Sequence, residues 1–515
     1  MKTISKLFKE AVETYLLSVD VDNPPKPSDA EEQLLDLMCF LVEQENTLRP
    51  KTNRLSYPKV LPNSVITDLI LALHPVCKVP FALTDAHKNC DLCVYMREGE
   101  HKGIYMNDRA ALDTLVRQYN YNASTHDVNE VINNLLAKAP LREKCSDKNL
   151  IAVNNGIFDY KSKTLMDFTP EKVFLSKSYV DYNPNAQNCV IHNDDDNTDW
   201  DVESWMKTLS DDPEVVELLW QVLSAVVRPN VRWDKAICFV GPQGCGGKST
   251  LMTLMRELCG VNSCATVTFS NFGKDFALEP LLHCSAVLTD EVPVRSYAKE
   301  VDTFKLLLTG EPIYFSRKNE KNITAQLNVV MVFALNSMVS FGDKSESLVR
   351  RLLFVPMTKC FTGHERKYIK GDYLKRKEVK EYVLKRVLHS NFYKFTEPKA
   401  SKVLTQEFRE FNDNVRAFLN DILPQLVNPL APYSLLYELY VAWLKKNNPS
   451  SVCIGKKSFI ADVREIVSSN PDWKIKDTPV PTRNLLSKVE PLVFQYGISW
   501  TANKTSYTGL IRVTP

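Results

Sequence analysis

Four of the 16 glycines in this 515-residue chain fall within seven positions, directly before a lysine, a serine and a threonine, in the stretch GPQGCGGKST. Closely spaced glycines let consecutive backbone N–H groups converge on phosphate oxygens, and a lysine at the start of the next helix reaches the β and γ phosphates of a nucleotide. We therefore expect Lys248 to contact phosphate and the Ser249 hydroxyl to ligate Mg²⁺. The expected contacts with ATP extend over Gly241, Pro242, Gln243, Gly244, Cys245, Gly246, Gly247, Lys248, Ser249 and Thr250.

The spacing of this loop departs from the usual pattern G-x4-G-K-[ST]. Counted back from Gly247, the first glycine position holds Pro242, and Gly241 lies one residue earlier. The extra residue predicts a longer or differently turned loop. A strand–helix turn that binds nothing is the alternative, but the apolar strand pattern before the loop and the helical pattern after it favour phosphate binding.

A pair of carboxylates and one amide follow apolar runs further along the chain. Asp290 and Glu291 come after SAVLT, and Asn336 comes after NVVMVFAL. Because the carboxyl ends of parallel strands meet at one edge of a sheet, we expect all three beside the glycine loop. Asp290 would orient Mg²⁺ through water, Glu291 would polarise the attacking water, and Asn336 would sense the γ phosphate. Ordinary solvated strand ends are the alternative.

Two adjacent arginines, Arg350 and Arg351, precede the apolar run LLFVPM. A guanidinium inserted into a neighbouring subunit's site would stabilise transition-state charge during phosphoryl transfer. A surface salt bridge explains the pair equally well, so these residues alone do not decide between the two roles.

The elements that must position these residues can be read from the apolar pattern. KAICFV, at 235–240, predicts a buried strand, and STLMTLMRELCG predicts a helix that ends at Gly260. Apolar strands alternate with helical patterns over 235–357, which is typical of a parallel sheet covered by helices, and the fold class is therefore α/β. The expected units are 1–90 (helical), 91–195 (small α+β domain), 200–232 (helical collar), 233–358 (nucleotide-binding core), 359–424 (basic helical region) and 425–515 (winged-helix-like domain), with the acidic stretch HNDDDNTDWD as a surface linker.

Composition restricts the possible function classes. The net charge is +2, from 64 basic and 62 acidic residues, so contact with nucleic acid must come from local basic patches. The 44% apolar and 24% charged content is that of a folded protein and excludes a disordered or fibrous chain. No signal-peptide core or stretch of about 18 apolar residues occurs, which predicts a cytoplasmic protein without membrane partners.

The 13 cysteines are odd in number and scattered, which predicts reduced thiols and no disulfide framework. The run Cys77, His87, Cys90 and Cys93 has spacing that could bind zinc, and free thiols are the favoured alternative.

The order and spacing of these motifs resemble the superfamily 3 helicases of viruses, phages and satellite elements, a branch of the AAA+ ATPases. Within that superfamily the chain is most similar to the phage and plasmid primase-helicase group related to the poxvirus NTPase. The resemblance covers roughly residues 90–465 and is carried by NLIAVNNGIFDY, VDYNPNA, FGKDFALEPLLHCSAVLTDE and FKLLLTGEPIYFSRKNEKNITAQLNVVMVFALN. It implies a three-layer α/β/α AAA+ P-loop ATPase core. TQEFREFNDNVRAFL and SLLYELYVAWLKKNN resemble the tail of the family, which includes a winged helix.

The resemblance also implies how the protein contacts DNA and its own copies. It places Arg317, Lys318 and Lys321 on or beside a pore hairpin that grips DNA phosphates, with Lys305 on a further matching position, and it favours Arg351 over Arg350 as the trans-acting finger. Lys456 and Lys457 begin the expected recognition helix, where they would contact phosphates or simply keep the surface soluble. Many relatives carry a separate primase domain, which we do not expect in the roughly 90 residues before the shared region.

These observations lead to the hypothesis of an ATP- and Mg²⁺-dependent replicative DNA helicase of a phage or mobile element. A homo-oligomeric ring, expected to be a hexamer, would translocate on single-stranded and forked DNA, with a primase or initiator as a possible partner. The rival hypothesis is a DNA-binding initiator or regulator that uses ATP only as an assembly switch. A small-molecule phosphotransferase has no support outside GKST.

Overall fold

The structure is a computed structural model of the chain. It describes residues 2–21, 23–82, 89–241, 246–260, 263–292, 297–299, 301–318, 321–448, 453–468, 470–483, 485–486 and 488–513. Among these residues, no helix is both long and apolar enough to cross a membrane.

The N-terminal part packs helices against a small antiparallel sheet with strand order β1–β2–β3. A capping box in which Ser124 and Asp127 exchange hydrogen bonds with each other's backbone starts its last helix. The strand β1 pairs with β2, so this sheet crosses the expected boundary at residue 90. The elements are α1 (Ile4–Ser18), α2 (Pro27–Thr47), α3 (Asn63–Leu73), β1 (Val76–Pro80), β2 (Cys90–Tyr95), β3 (Tyr105–Met106), α4 (Arg109–Tyr119) and α5 (Thr125–Lys138).

A three-stranded meander, a two-stranded hairpin and two helices follow. These elements are β4 (Leu150–Val153), β5 (Gly156–Asp159), β6 (Thr164–Met166), β7 (Ile191–Asn193), β8 (Thr198–Trp200), α6 (Val202–Thr208) and α7 (Pro213–Val226). The prediction of a linker at the acidic stretch is wrong, because that stretch forms the β7–β8 hairpin with Asn193 and Trp200 buried. Alternation along each strand turns these two side chains inward while the aspartates stay outside.

The centre of the molecule is a parallel five-stranded sheet with strand order β10–β11–β15–β9–β17. Its strands are β9 (Ala236–Val240), β10 (Cys264–Ala265), β11 (Ala286–Thr289), β15 (Val330–Leu335) and β17 (Leu352–Pro356). Smaller elements of this region are α8 (Lys248–Cys259), β12 (Tyr297–Ala298), α9 (Asp302–Leu308), β13 (Ile313–Phe315), β14 (Ile323–Ala325), β16 (Ser340–Phe341) and α10 (Glu346–Val349). The expected strand at 235–240 and the helix ending at Gly260 are both present, and the α/β class is confirmed.

Apolar side chains cover both faces of this sheet. On β9, Ile237 and Phe239 belong to one hydrophobic cluster, and Ala236 and Cys238 belong to another. The first cluster includes residues of α7 and α8, and the second includes Phe304 of α9. A strand that is buried on both faces has a continuous apolar sequence, which is why KAICFV predicts this strand.

The C-terminal part begins with the basic helices and ends in an antiparallel sheet with strand order β18–β20–β19. Stacked Tyr440 and Phe459 lie in its core, together with Phe418. The elements are α11 (Lys367–Gly371), α12 (Lys377–Leu388), α13 (Lys399–Asn412), α14 (Asn414–Ile422), β18 (Leu430–Pro432), α15 (Tyr433–Asn447), α16 (Lys456–Val467), β19 (Trp473–Pro481), α17 (Pro491–Gln495) and β20 (Ser506–Arg512).

Candidate functional site

The glycine loop connects the end of β9 to the first turn of α8. Gly247 lies directly before α8 with φ +75°, a left-handed conformation that glycine adopts without steric cost. A Cβ atom at Gly241 would lie 2.0 Å from the carbonyl oxygen of Met357, so only glycine fits there. Pro242, Gln243, Gly244 and Cys245 lie outside the described residues, and the path of the extra residue is therefore not described.

The first two residues of α8 point polar groups at the loop and at β11. The Lys248 side chain is buried, and its Nζ donates a hydrogen bond to the carbonyl oxygen of Gly241 at 2.8 Å. The Ser249 hydroxyl donates to Oδ2 of Asp290 at 2.9 Å. This contact joins two residues that are 41 positions apart in sequence and were predicted to share a metal ion.

Asp290, Glu291 and Asn336 lie at the carboxyl ends of neighbouring strands. Asp290 and Glu291 follow β11, and Asn336 follows β15, which lies between β11 and β9. With Gly246, Gly247, Lys248, Ser249 and Thr250, they line one cavity of about 1280 Å³. The structure therefore brings together the described residues that the sequence nominated for nucleotide and metal binding, apart from Gly241, which touches this group through Lys248.

The oxygen atoms of Ser249 and Asp290 are of the kind that Mg²⁺, the predicted metal, requires. Ser249 Oγ and Asp290 Oδ2 are hard oxygen atoms that lie 2.9 Å apart at the N-terminus of α8. Mg²⁺ prefers such ligands and keeps several of its waters when it binds them. An Arg256 guanidinium nitrogen lies 3.9 Å from Asp290 Oδ2 and balances part of its charge. These residues fit Mg²⁺ bound together with nucleotide phosphate.

Sequence reasoning missed part of this cavity wall. Side chains of the acidic hairpin, of α6 and of the basic segment after β17 line the side of the cavity that faces α8. The Lys370 ammonium contacts the Ser249 hydroxyl directly. The abundance of lysine at 364–400 was visible in the sequence, but nothing in the spacing showed which lysine faces the loop. The additional lining residues are Asp199, Trp200, Asp201, Ser204, Trp205, Thr208, Thr253, Phe361, His364, Glu365, Arg366, Lys367, Ile369, Lys370, Gly371 and Lys375.

The two arginines do not line the cavity of their own chain. Arg351 is half-buried, and its Nη1 donates to the carbonyl and hydroxyl oxygens of Ser347, each at 2.6 Å. Burial and the neighbouring Arg350 lower the pKa of Arg351. Arg350 is exposed.

The expected basic hairpin is formed by β13 and β14, which pair antiparallel. Lys318 and Lys321 are exposed at its turn. Arg317 is mostly buried, with Nε 3.7 Å from Glu279 and the guanidinium over the Phe81 ring. Lys305 lies on α9 rather than on the hairpin.

Lys305 takes part in two ion pairs. Its Nζ lies 2.8 Å from Asp343 and 2.9 Å from Asp302. Burial opposes the charged form, but the hydrogen bonds that the ammonium donates to these two carboxylates prevail and raise the pKa of Lys305. Two carboxylates therefore balance the positive charge of Lys305, whereas Lys318 and Lys321 are exposed.

The remaining predicted residues lie away from the cavity. Lys456 and Lys457 are exposed in the first turn of α16. Cys77 and Cys93 face each other across β1 and β2, where burial raises the pKa of the Cys77 thiol to about 11 and that of the Cys93 thiol further. Cys90 begins β2, and His87 lies outside the described residues.

Three family models match separate parts of the chain. Residues 83–211 match the family described as D5 N terminal like, and residues 410–490 match the family described as Poxvirus D5 protein-like. Residues 239–351, which contain the glycine loop, match a family of unknown function, DUF5906. The two D5-related matches confirm the resemblance to the phage and viral primase-helicase type. A comparison with curated proteins gave no match.

Solved structures of the NrS-1 C-terminal region are similar over most of the chain. One A-form apo structure is 12% identical over 88% of this chain and 100% of that chain, with a TM-score of 0.41. An apo structure of residues 305–718 is 13% identical over 87% and 98% of the two chains, with a TM-score of 0.45. A further A-form structure of 305–718 is 14% identical over 82% and 94%, with a TM-score of 0.41.

Proposed function

We propose that this protein is an ATP-dependent DNA helicase of superfamily 3 that replicates a phage or mobile element in the host cytoplasm. The observation that carries the proposal is the convergence of Lys248, Ser249, Asp290, Glu291 and Asn336 on one cavity at the carboxyl edge of the parallel sheet. Phosphoryl transfer needs positioning and charge stabilisation more than covalent chemistry, and this edge supplies both.

Each residue of the edge has a defined task in the proposed reaction. The first turn of α8 and Lys248 bind the phosphates, and Ser249 and Asp290 hold Mg²⁺. The metal, when bound, neutralises charge on the β and γ phosphates. Glu291 orients the attacking water and accepts its proton, and Asn336 fixes the position of the γ phosphate.

The strand order supports an AAA+ core. Numbered by their place in the chain, the five strands run 5-1-4-3-2 across the sheet, with the glycine loop after strand 1, the acidic pair after strand 3 and the amide after strand 4. The C-terminal order of α14, β18, α15, α16, β19 and β20 around a three-stranded antiparallel sheet supports a winged helix, which would present Lys456 and Lys457 to DNA. As part of the proposal we retain the units 200–232, 233–358, 359–424 and 425–515, and we drop the boundary between 1–90 and 91–195 because the β1–β2 sheet crosses it.

The hairpin of β13 and β14 supports DNA contact. Its turn exposes Lys318 and Lys321, and Ser316 beside the turn donates to Asp275 at 2.9 Å, which ties the hairpin to the preceding loop. In that loop Phe276 has φ +62° and is 52% exposed. An exposed ring on a loop that is tied to a hairpin with exposed lysines is suited to a base and its phosphate.

The test of the motor is ATP hydrolysis with and without single-stranded DNA. We expect DNA to stimulate hydrolysis, Lys248→Ala to abolish it, and Lys318→Ala to retain basal hydrolysis while losing stimulation. Lys59→Ala, which removes another exposed lysine, is the control and should behave as the unaltered protein. If the assembled protein binds ATP but hydrolyses almost none under either condition, the assembly-switch function replaces the helicase.

A ring, proposed to be a hexamer, explains why Arg351 lies outside the cavity of its own chain. If Arg351 completes a neighbour's site, mixing inactive Lys248→Ala with inactive Arg351→Ala subunits restores part of the hydrolysis, because some interfaces regain both residues. Mixing Lys248→Ala with Glu291→Gln restores none, since both residues belong to the same chain's site. Loss of hydrolysis with Arg350→Ala and not with Arg351→Ala would assign the finger to Arg350.

A further inference from the structure

The basic segment 361–375 lies across the cavity from α8 and provides it with a cation that sequence reasoning did not assign. Phe361, Arg366, Lys367, Lys370 and Lys375 of this segment line the cavity. Among them, Lys370 reaches the loop itself and contacts the Ser249 hydroxyl. Ser249 in turn donates to Asp290, so Lys370, Ser249 and Asp290 are connected by consecutive hydrogen bonds at the start of α8.

The acidic hairpin fixes the position of this segment. The Tyr368 hydroxyl donates to Asp196 at 2.6 Å, and the Arg366 guanidinium lies 3.9 Å from the same carboxylate. Asn193 donates to the Tyr373 hydroxyl at 2.9 Å, and the Tyr373 ring packs against Trp200. Contacts on both sides of Lys370 therefore hold α11 against the β7–β8 hairpin with the ammonium directed at Ser249.

The chemistry of Lys370 suits a triphosphate. A lysine ammonium is a compact charge with three donors on a flexible stem, and Lys370 is exposed enough to change its contact. Ser249 offers a single side-chain oxygen, so an ammonium and Mg²⁺ compete for it. If a metal–nucleotide complex occupied that oxygen, the oxygens of the bound phosphates would offer anionic acceptors to Lys370.

We propose that Lys370 is a triphosphate-binding residue, contributed by the same chain, that moves from Ser249 to the terminal phosphates when Mg²⁺-nucleotide binds. The segment 361–375 is then the wall of the cavity that distinguishes a triphosphate from a diphosphate. This inference rests on the proposed nucleotide site and adds to it a residue that binds the terminal phosphate.

The test compares the affinities of ATPγS and ADP, each with Mg²⁺, in the unaltered protein and in Lys370→Ala. A hydrogen bond to a charged group contributes about 1.5–3 kcal/mol, so we expect ATPγS binding to weaken about tenfold or more and ADP binding to weaken much less. Lys370→Arg should restore most of the difference. The control is Lys377→Ala, which removes an exposed lysine of the next helix that pairs with Asp181 at 3.4 Å and does not line the cavity.

The outcomes separate this inference from the proposed function. Equal affinities in Lys370→Ala and the unaltered protein, or equal weakening of both nucleotides, overturns the role of Lys370 and leaves the nucleotide site intact. Absence of binding to the unaltered protein overturns the proposed function, and the inference falls with it. Thermal unfolding of Lys370→Ala should match the unaltered protein, because an exposed lysine adds little to stability.

Discussion

Replacing Gly247 by alanine tests whether the start of α8 is the phosphate site. The new Cβ meets two obstacles: a φ of +75° and the Cδ2 atom of Leu209 at 2.8 Å. A left-handed conformation costs an alanine about 1–2 kcal/mol. Displacing Leu209, which is fully buried, adds roughly 1–3 kcal/mol of overpacking.

Gly99 provides a matched control. It has φ +78° with no atom within 4 Å of an added Cβ, so Gly99→Ala carries the backbone cost alone. We expect urea unfolding to show a loss of about 1–2 kcal/mol for Gly99→Ala and about 2–5 kcal/mol for Gly247→Ala.

Nucleotide affinity should respond in only one of the two variants. A tilt of the first N–H groups of α8 weakens at least one hydrogen bond to phosphate, which corresponds to roughly tenfold or more in the Kd of Mg²⁺-ATPγS for Gly247→Ala. Gly99→Ala should bind as the unaltered protein. A folded Gly247→Ala protein with unchanged affinity would refute the assignment of the phosphates to this helix start.

Two further predictions follow from side-chain contacts. Asp290→Asn keeps the shape that accepts the Ser249 hydroxyl at 2.9 Å but removes the charge, so hydrolysis should require about 10–100-fold more Mg²⁺; an unchanged Mg²⁺ titration would contradict the metal assignment. Burial, with Arg97 nearby, lowers the pKa of His74 to about 4. The unfolded chain therefore takes up this proton near pH 6.5 and the folded protein only near pH 4, and about 3 kcal/mol of stability should be lost as the pH falls through that interval. His74→Gln should flatten this part of the curve of unfolding free energy against pH, and an identical curve would contradict the buried neutral imidazole.

The sequence was most informative at the apolar runs, because each run predicts a buried strand and also the edge of the sheet at which the residue after it lies. The apolar runs that end in Gly241, Asp290 and Asn336 are buried on both faces of the sheet, and parallel strands bring their carboxyl ends to one edge. Their meeting at one edge of the sheet could therefore be predicted without knowing the rest of the fold.

Other parts depend on contacts that no local pattern records. Lys370 contacts Ser249, which lies 121 residues away, and nothing distinguishes it from the other lysines of 364–400 until α11 packs on the hairpin. The acidic stretch resembles a linker because its aspartates outnumber the two buried side chains, Asn193 and Trp200, that make it a hairpin. Arg317 and Lys305 carry charges that suit DNA, but Glu279 and Asp343, which pair with them, are distant in sequence; only Asp302, the second partner of Lys305, is close along the chain.

The position of β9 within the sheet has a consequence for the synthesis of the protein. This strand leads into the phosphate loop, yet both of its hydrogen-bonded neighbours, β15 and β17, come later in the chain. A nascent chain that has emerged only as far as α8 therefore carries the loop without the strands that hold it, and it can gain no stability from nucleotide. The ribosome must release Leu352–Pro356 before ATP can act as a folding ligand, so a truncation before β17 should yield a chain that ATP does not protect from proteolysis.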